Sequence, residues 1–102
     1  MAEQKVQGSE FSLRYPVEFE GKQVEALQLN FAALSADDII ASERQFVAET
    51  GENPFVKETS KLFQAYIAAR AAGVPIELVK KINASDFSRL TLRVQNFLLG
   101  VD

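Results

Sequence analysis

The apolar and polar positions at the start of the chain alternate with a period of two. Apolar side chains stand at every second position over residues 11–19, which predicts a half-buried β-strand. A glycine turn at residues 20–22 and a second apolar run over residues 24–31 complete a β-hairpin. Pro16 cannot donate a ladder hydrogen bond, and the second run slips out of alternation near Glu25-Ala26. We therefore predict an edge strand or a break at the proline, and a bulge near Glu25-Ala26.

Beyond the hairpin, apolar positions recur at helical spacing and predict four helices, some of them short. Ser35 is placed to cap the first helix, and Gly51 is placed to end it. The second helix is expected over about residues 55–72, and Pro75 opens a short third helix. Ser85 is placed to cap the last helix. One apolar stripe follows that helix, and its members are Phe87, Leu90, Val94, Phe97 and Leu98.

These elements predict an α+β fold in which an N-terminal β-hairpin is followed by a small bundle of three to four helices. The length of 102 residues suits one domain over residues 1–102. Within it we expect a mobile tail at 1–9, the β-hairpin at 10–32 and the helical part at 35–99. A hydrophobic content of 47% argues against a disordered chain.

Leu92 and Leu99 do not belong to the apolar stripe of the last helix. At about 100° per residue they lie roughly on its opposite side. A short helix that is apolar on two sides usually contacts two surfaces, and the second is either another helix of the same fold or another molecule. Arg89 and Arg93 are four residues apart and share one face of this helix. The candidate partner-binding residues are therefore Arg89, Leu92, Arg93 and Leu99.

The composition leaves little material for catalysis. The chain contains neither cysteine nor histidine, which removes thiol chemistry, the commonest metal ligand and the commonest general base. The adjacent pair Asp37-Asp38 points about 100° apart on a helix, which favours capping over shared proton or metal binding. The five glycines are scattered and form no phosphate loop. We expect no enzyme activity, no catalytic residue, no cofactor and no metal.

The charge of the chain is unevenly distributed. The net charge is −3, but residues 1–53 carry four bases against ten acids, and residues 54–102 carry seven bases against four acids. Charge blocks this mild are commonly just two solvated faces. The two halves can also attract each other within one fold or between subunits, or the basic half can meet an acidic partner. No apolar run approaches the roughly 20 residues of a membrane helix, so we expect no membrane partner.

A nucleic-acid function is the alternative. Lys80-Lys81, a turn and a helix with Arg89 and Arg93 loosely resemble a helix-turn-helix, which is typical of small nucleic-acid-binding or regulatory proteins. A DNA reader usually shows a larger basic excess and more polar side chains on its second helix. Here that helix offers Leu92 and Leu99, so the favoured interpretation has protein partners and no nucleic acid.

Six short motifs follow one another along the chain. They are Tyr15-Pro16-Val17, Phe19-Glu20-Gly21-Lys22, Leu27-x-Leu29, the segment from Ala68 to Pro75, Ser85-Asp86-Phe87, and the segment from Val94 to Leu99. Their order and spacing resemble the small tail assembly chaperones of long-tailed bacteriophages. The resemblance spans about residues 11–99 and is weakest over residues 55–63.

The resemblance implies a non-catalytic assembly factor of a phage or prophage. Such chaperones bind the tape measure protein, keep it soluble and help tail tube subunits polymerise around it. The implied partners are therefore the tape measure protein and the tail tube protein. The implied location is the host cytoplasm, not the mature virion. A homo-oligomer stays open, because the hairpin edges could pair between chains.

Overall fold

The hairpin is formed by two antiparallel strands, β1 (Ser9–Phe19) and β2 (Lys22–Leu29). The computed structural model describes residues 9–101, so the tail expected at 1–9 lies outside the described residues except for the backbone of Ser9. Glu20 and Gly21 form the turn with positive φ angles of 53° and 80°. The predicted hairpin is thus confirmed.

The pairing of the two strands is irregular in the middle of β1. Ser12 pairs with Ala26 and Val17 pairs with Val24, so four residues of β1 stand opposite the single residue Glu25. The irregular pairing predicted near Glu25-Ala26 is present. The prediction that β2 contains the bulge was wrong, because the extra residues lie in β1. They include Pro16, which cannot donate to the ladder.

Four helices follow the hairpin, as predicted. They are α1 (Ala36–Thr50), α2 (Lys61–Ala72), α3 (Ile76–Lys80) and α4 (Ala84–Leu98), with single 3₁₀ turns at Phe31–Ala33 and Lys57–Thr59. The fold is therefore α+β. Each helix described in residues 9–101 is too short or too polar to cross a membrane.

The start and end of α1 match the sequence signals. The Ser35 side chain accepts a hydrogen bond from the Asp38 amide at 3.2 Å, and the Asp38 carboxylate accepts one from the Ser35 amide at 2.8 Å. This reciprocal pair is a capping box. Gly51 ends the helix with a φ of 74°. Arg70 of α2 lies 3.2 Å from the Asp38 carboxylate and ties the two helices together.

Two helix starts differ from the prediction. The second helix begins at Lys61, not near residue 55, because Ser60 caps it by accepting a hydrogen bond from the Phe63 amide at 3.2 Å. The last helix is capped by Asn83, which accepts a hydrogen bond from the Ser85 amide at 2.9 Å. Ser85 therefore lies inside the first turn of α4.

The core is built around α2, which contacts α1, α3, α4 and β2. Eight of the twelve α2 residues are buried, and the alanines among them let neighbouring elements approach closely. Phe46 of α1 packs edge-to-face against Phe63 and Tyr66 of α2, with ring centres 5.6 and 5.8 Å apart. On α4, Leu90 and Val94 are fully buried. The other predicted members of that stripe are partly buried, and they are Phe87, Phe97 and Leu98.

Candidate partner-binding surface

Two leucines lie off the apolar stripe, as the sequence placed them: Leu92 is on the outward side of α4, and Leu99 caps the C-terminal end of that helix. Leu92 and Leu99 are 56% and 52% exposed, whereas Leu90 and Val94 on the opposite side are fully buried. Of the two possibilities left open by the sequence, packing of these leucines inside the fold does not occur among the described residues. Seven residues separate them, which is about 10 Å along the helix and nearly the same angular position. We call Leu92 and Leu99 the leucine strip.

Arg89 lies on the flank of α4 that faces the hairpin. Its guanidinium donates from Nη2 to the Asp86 carboxylate and, at 3.2 Å, to the carbonyl oxygen of Ser12 in β1. The same group lies 4.8 Å from the centre of the Phe11 ring, within cation–π range. The structure therefore gives Arg89 an intramolecular role, while its role in partner binding stays a prediction.

Arg93 lies one turn further along the same flank and is half-buried. It makes no hydrogen bond or ion pair with any other residue in the part of the chain that the structure describes. The role of Arg93 in partner binding, like that of Arg89, stays a prediction. Arg89 and Arg93 are equivalent in the sequence pattern, but only Arg89 bonds to Asp86 and to the Ser12 carbonyl oxygen.

Asp86 is the functional residue that the sequence pattern missed. Its side chain is completely buried. Oδ1 accepts a hydrogen bond from the Arg14 amide at 3.1 Å, and Oδ2 accepts one from the Tyr15 amide at 3.0 Å. These amides belong to the irregular part of β1, so one carboxylate replaces the ladder bonds missing there. The only local signal was an acid in the first turn of a helix with an arginine three residues later.

The surroundings of Asp86 favour its ionised form. Burial opposes ionisation, but the Tyr15 amide, the Arg89 guanidinium and the Arg14 amide outweigh it, so the pKa of Asp86 lies below its usual value. The side chain is therefore a buried charge with three donors. It fixes the N-terminal part of α4 against the hairpin.

Polar side chains also fix the other flank of α4. Buried Gln64 of α2 donates to the Glu58 carbonyl oxygen at 2.6 Å and to Oε1 of Gln95 at 3.0 Å. Lys61 donates to the Thr91 hydroxyl at 3.0 Å. Hydrogen bonds thus hold α4 on both flanks of the side that carries Leu92.

Two further carboxyl groups have lowered pKa values. The Ser35 amide, followed by the Arg70 guanidinium, lowers the pKa of Asp38. The Tyr66 hydroxyl, which donates to Glu49 at 2.8 Å, lowers the pKa of Glu49. Burial and then the Glu49 carboxylate raise the pKa of Tyr66 to about 12.

These pKa directions predict that acid destabilises the fold. A carboxyl group with a lower pKa in the folded chain stabilises it above the unfolded value of about 4, and this stabilisation is lost as the pH falls through the folded value. We expect the urea midpoint to fall below roughly pH 4 and to depend less on pH in the Asp86→Asn variant. A urea midpoint that stays constant or increases as the pH is lowered to about 3 would contradict this prediction.

Structural observations bear on both the chemical and the nucleic-acid alternatives. In residues 9–101 no group of three or more potential His, Cys, Asp or Glu ligands surrounds a metal position. The helix-turn-helix alternative needs a first helix ahead of α4, but α3 has only five residues. Of the two arginines on which that alternative depends, Arg89 is bound to Asp86. The remaining surface is an apolar strip with a polar rim.

Comparison with known proteins agrees with this geometry. The family model described as phage tail assembly chaperone proteins, E, or 41 or 14, matches residues 10–99. The match includes the hairpin and all four helices, and it confirms the family predicted from the order of the motifs. Neither the curated proteins nor the solved structures give a significant match. The chain belongs to the phage tail assembly chaperone family.

Proposed function

We propose that this chain binds the tape measure protein during tail assembly, without catalysing a reaction, and helps tail tube subunits polymerise around it. Membership of the family supports an assembly role. The observation that carries the choice of surface is the exposure of the leucine strip on a helix held at both flanks. The protein acts in the host cytoplasm and leaves before the virion is complete.

The mechanism rests on covering apolar helical stripes. A tape measure protein is long and helical, and its apolar stripes are exposed until the tube encloses them. The leucine strip packs against such a stripe, and Arg93 provides a positive charge beside the contact. Two leucines bury little area, so each contact is weak. Several chaperones along one tape measure protein together provide protection, and tube subunits displace them one at a time.

Introducing acidic side chains in the leucine strip tests this proposal. We expect Leu92→Glu combined with Leu99→Glu to weaken binding of the tape measure protein by roughly 30- to 150-fold, since each half-exposed leucine contributes about 1 to 1.5 kcal/mol. Both side chains are more than half exposed, so the fold should persist. Co-expression followed by gel filtration measures the soluble complex, and circular dichroism checks the fold.

The control carries the same added charge elsewhere. Gln23→Glu with Gln28→Glu adds two acids to exposed positions of β2 and should leave binding unchanged. If the unmodified chaperone neither solubilises the tape measure protein nor co-elutes with it, the proposed function is wrong. Equal binding by the leucine variant would show that another surface is used. Salt-dependent retardation of duplex DNA would instead support the nucleic-acid alternative.

A further inference from the structure

A second apolar surface lies on α1 and on the loop that follows it, and it shares no residue with the leucine strip. Phe55 in that loop is 104% exposed, so its ring contacts almost nothing in the chain. Its neighbour Val56 and Ile40 of α1 are each 47% exposed. A fully exposed phenylalanine in a short loop between two capped helices is unusual, because burial of an aromatic ring is strongly favourable.

A groove runs along the outer side of α1. It has a volume of about 420 Å³ and is lined by Ile40, Glu43, Arg44, Val47 and Ala48. All five lining residues lie on α1, three of them apolar and two charged, so the groove is open on its outer side. A benzyl side chain occupies less than this volume.

The exposed ring and the groove lie on the same side of the molecule. Lys57, two residues after Phe55, lies 3.3 Å from the carboxylate of Glu43, which lines the groove. This ion pair joins the loop that carries Phe55 to the side of α1 that bears the groove. We call Phe55, Val56 and the groove residues the α1 face.

We propose that the α1 face joins two copies of this chain, with Phe55 of each copy inserted in the groove of the other. A projection and a matching hollow on one surface are what a twofold, self-complementary interface requires. The charges around this surface also favour a second copy of the chain as the partner. Glu52 is exposed three residues before the ring, and Arg44 is exposed where it lines the groove. Neither makes an ion pair with another described residue, and the exchange brings Glu52 of one copy toward Arg44 of the other.

The expected dimer is weak and reversible. Two inserted rings with their grooves, together with Val56 and Ile40, bury roughly 1,000 Å² in total, which is below the usual size of a stable interface. We therefore expect dissociation in the micromolar to near-millimolar range. This inference is independent of tape measure binding, which uses the leucine strip.

Sedimentation equilibrium of the full chain over that concentration range tests the inference. We expect a monomer–dimer equilibrium that Phe55→Ala weakens at least about tenfold. Tyr15→Ala removes another exposed aromatic ring, outside the α1 face, and should leave the equilibrium unchanged. A chain that stays monomeric up to near-millimolar concentration overturns the proposal. So does a dimer that tolerates Phe55→Ala.

A charge exchange tests the arrangement in a second way. Arg44→Glu and Glu52→Arg should each weaken the dimer several-fold, and the double variant should recover most of the loss. Failure to recover overturns the twofold arrangement. If the chain is monomeric and Phe55→Ala instead reduces tape measure binding, the groove holds a partner helix and the proposal is wrong. A dimer that fails to bind the tape measure protein counts only against the proposed function.

Discussion

Replacing Asp86 with alanine should lower the free energy of unfolding by about 3 kcal/mol, because it leaves two backbone amides and one guanidinium without their acceptor. The carboxylate receives the amides of Arg14 and Tyr15 and the side chain of Arg89. It is completely buried. Urea unfolding followed by circular dichroism at neutral pH measures the loss.

The matched control is Asp37→Ala. Asp37 also lies in the first turn of a helix, but it is exposed. Its contribution is limited to the helix dipole, which gives less than about 1 kcal/mol. A loss of similar size in the two variants would show that Asp86 acts only as an N-terminal acid, as its sequence position suggested. A large loss at Asp86 alone identifies the carboxylate as the link between α4 and the hairpin.

Replacing Phe46 with alanine should lower the free energy of unfolding by about 3–5 kcal/mol. The ring is fully buried and meets Phe63 and Tyr66 edge-to-face, so its removal leaves a cavity where α1 packs on α2. Relaxation of the surroundings is limited, because α2 contacts α3, α4 and β2 on its other sides. Urea unfolding monitored by tyrosine fluorescence and circular dichroism gives the value.

Phe55→Ala is the control for this substitution, since it removes the same side chain from a fully exposed position. We expect a change within about 0.5 kcal/mol, provided that the protein is dilute enough to be monomeric. Comparable losses for Phe46 and Phe55 would mean that the α1–α2 contact is less tightly packed than the ring geometry indicates. Comparing the two variants thus separates the effect of burial from the effect of removing a phenylalanine ring.

Periodicity was sufficient to predict the order of elements but not every boundary. The hairpin alternation and the helical stripes depend only on local spacing, and the Ser35 and Gly51 signals are local as well. The start of α2 was misplaced because Phe55 and Val56 continue the helical spacing backwards. The chain nevertheless turns at Lys57–Thr59, and Ser60 caps the helix.

The candidate surface was predictable in part. The position of Leu92 and Leu99 off the apolar stripe followed from their angle on the last helix. Their exposure did not, because the sequence left packing against another helix of the same fold open. The burial of Asp86 did not follow, because the amides it accepts lie 71 and 72 residues earlier in the chain. The difference between Arg89 and Arg93 has the same origin. It depends on the bond between Arg89 and the Ser12 carbonyl oxygen of the hairpin, and no local pattern records that.

The long separation between Asp86 and its partners has a consequence for synthesis of the protein. The hairpin is made first, but the carboxylate that holds it follows 72 residues after Arg14. At about 5–20 residues per second, that delay is roughly 4 to 14 s on the ribosome. A two-stranded hairpin is marginal alone, and α2, which contacts β2, is made before α4. The hairpin can therefore pack on α2 first, and its contacts with α4 form last.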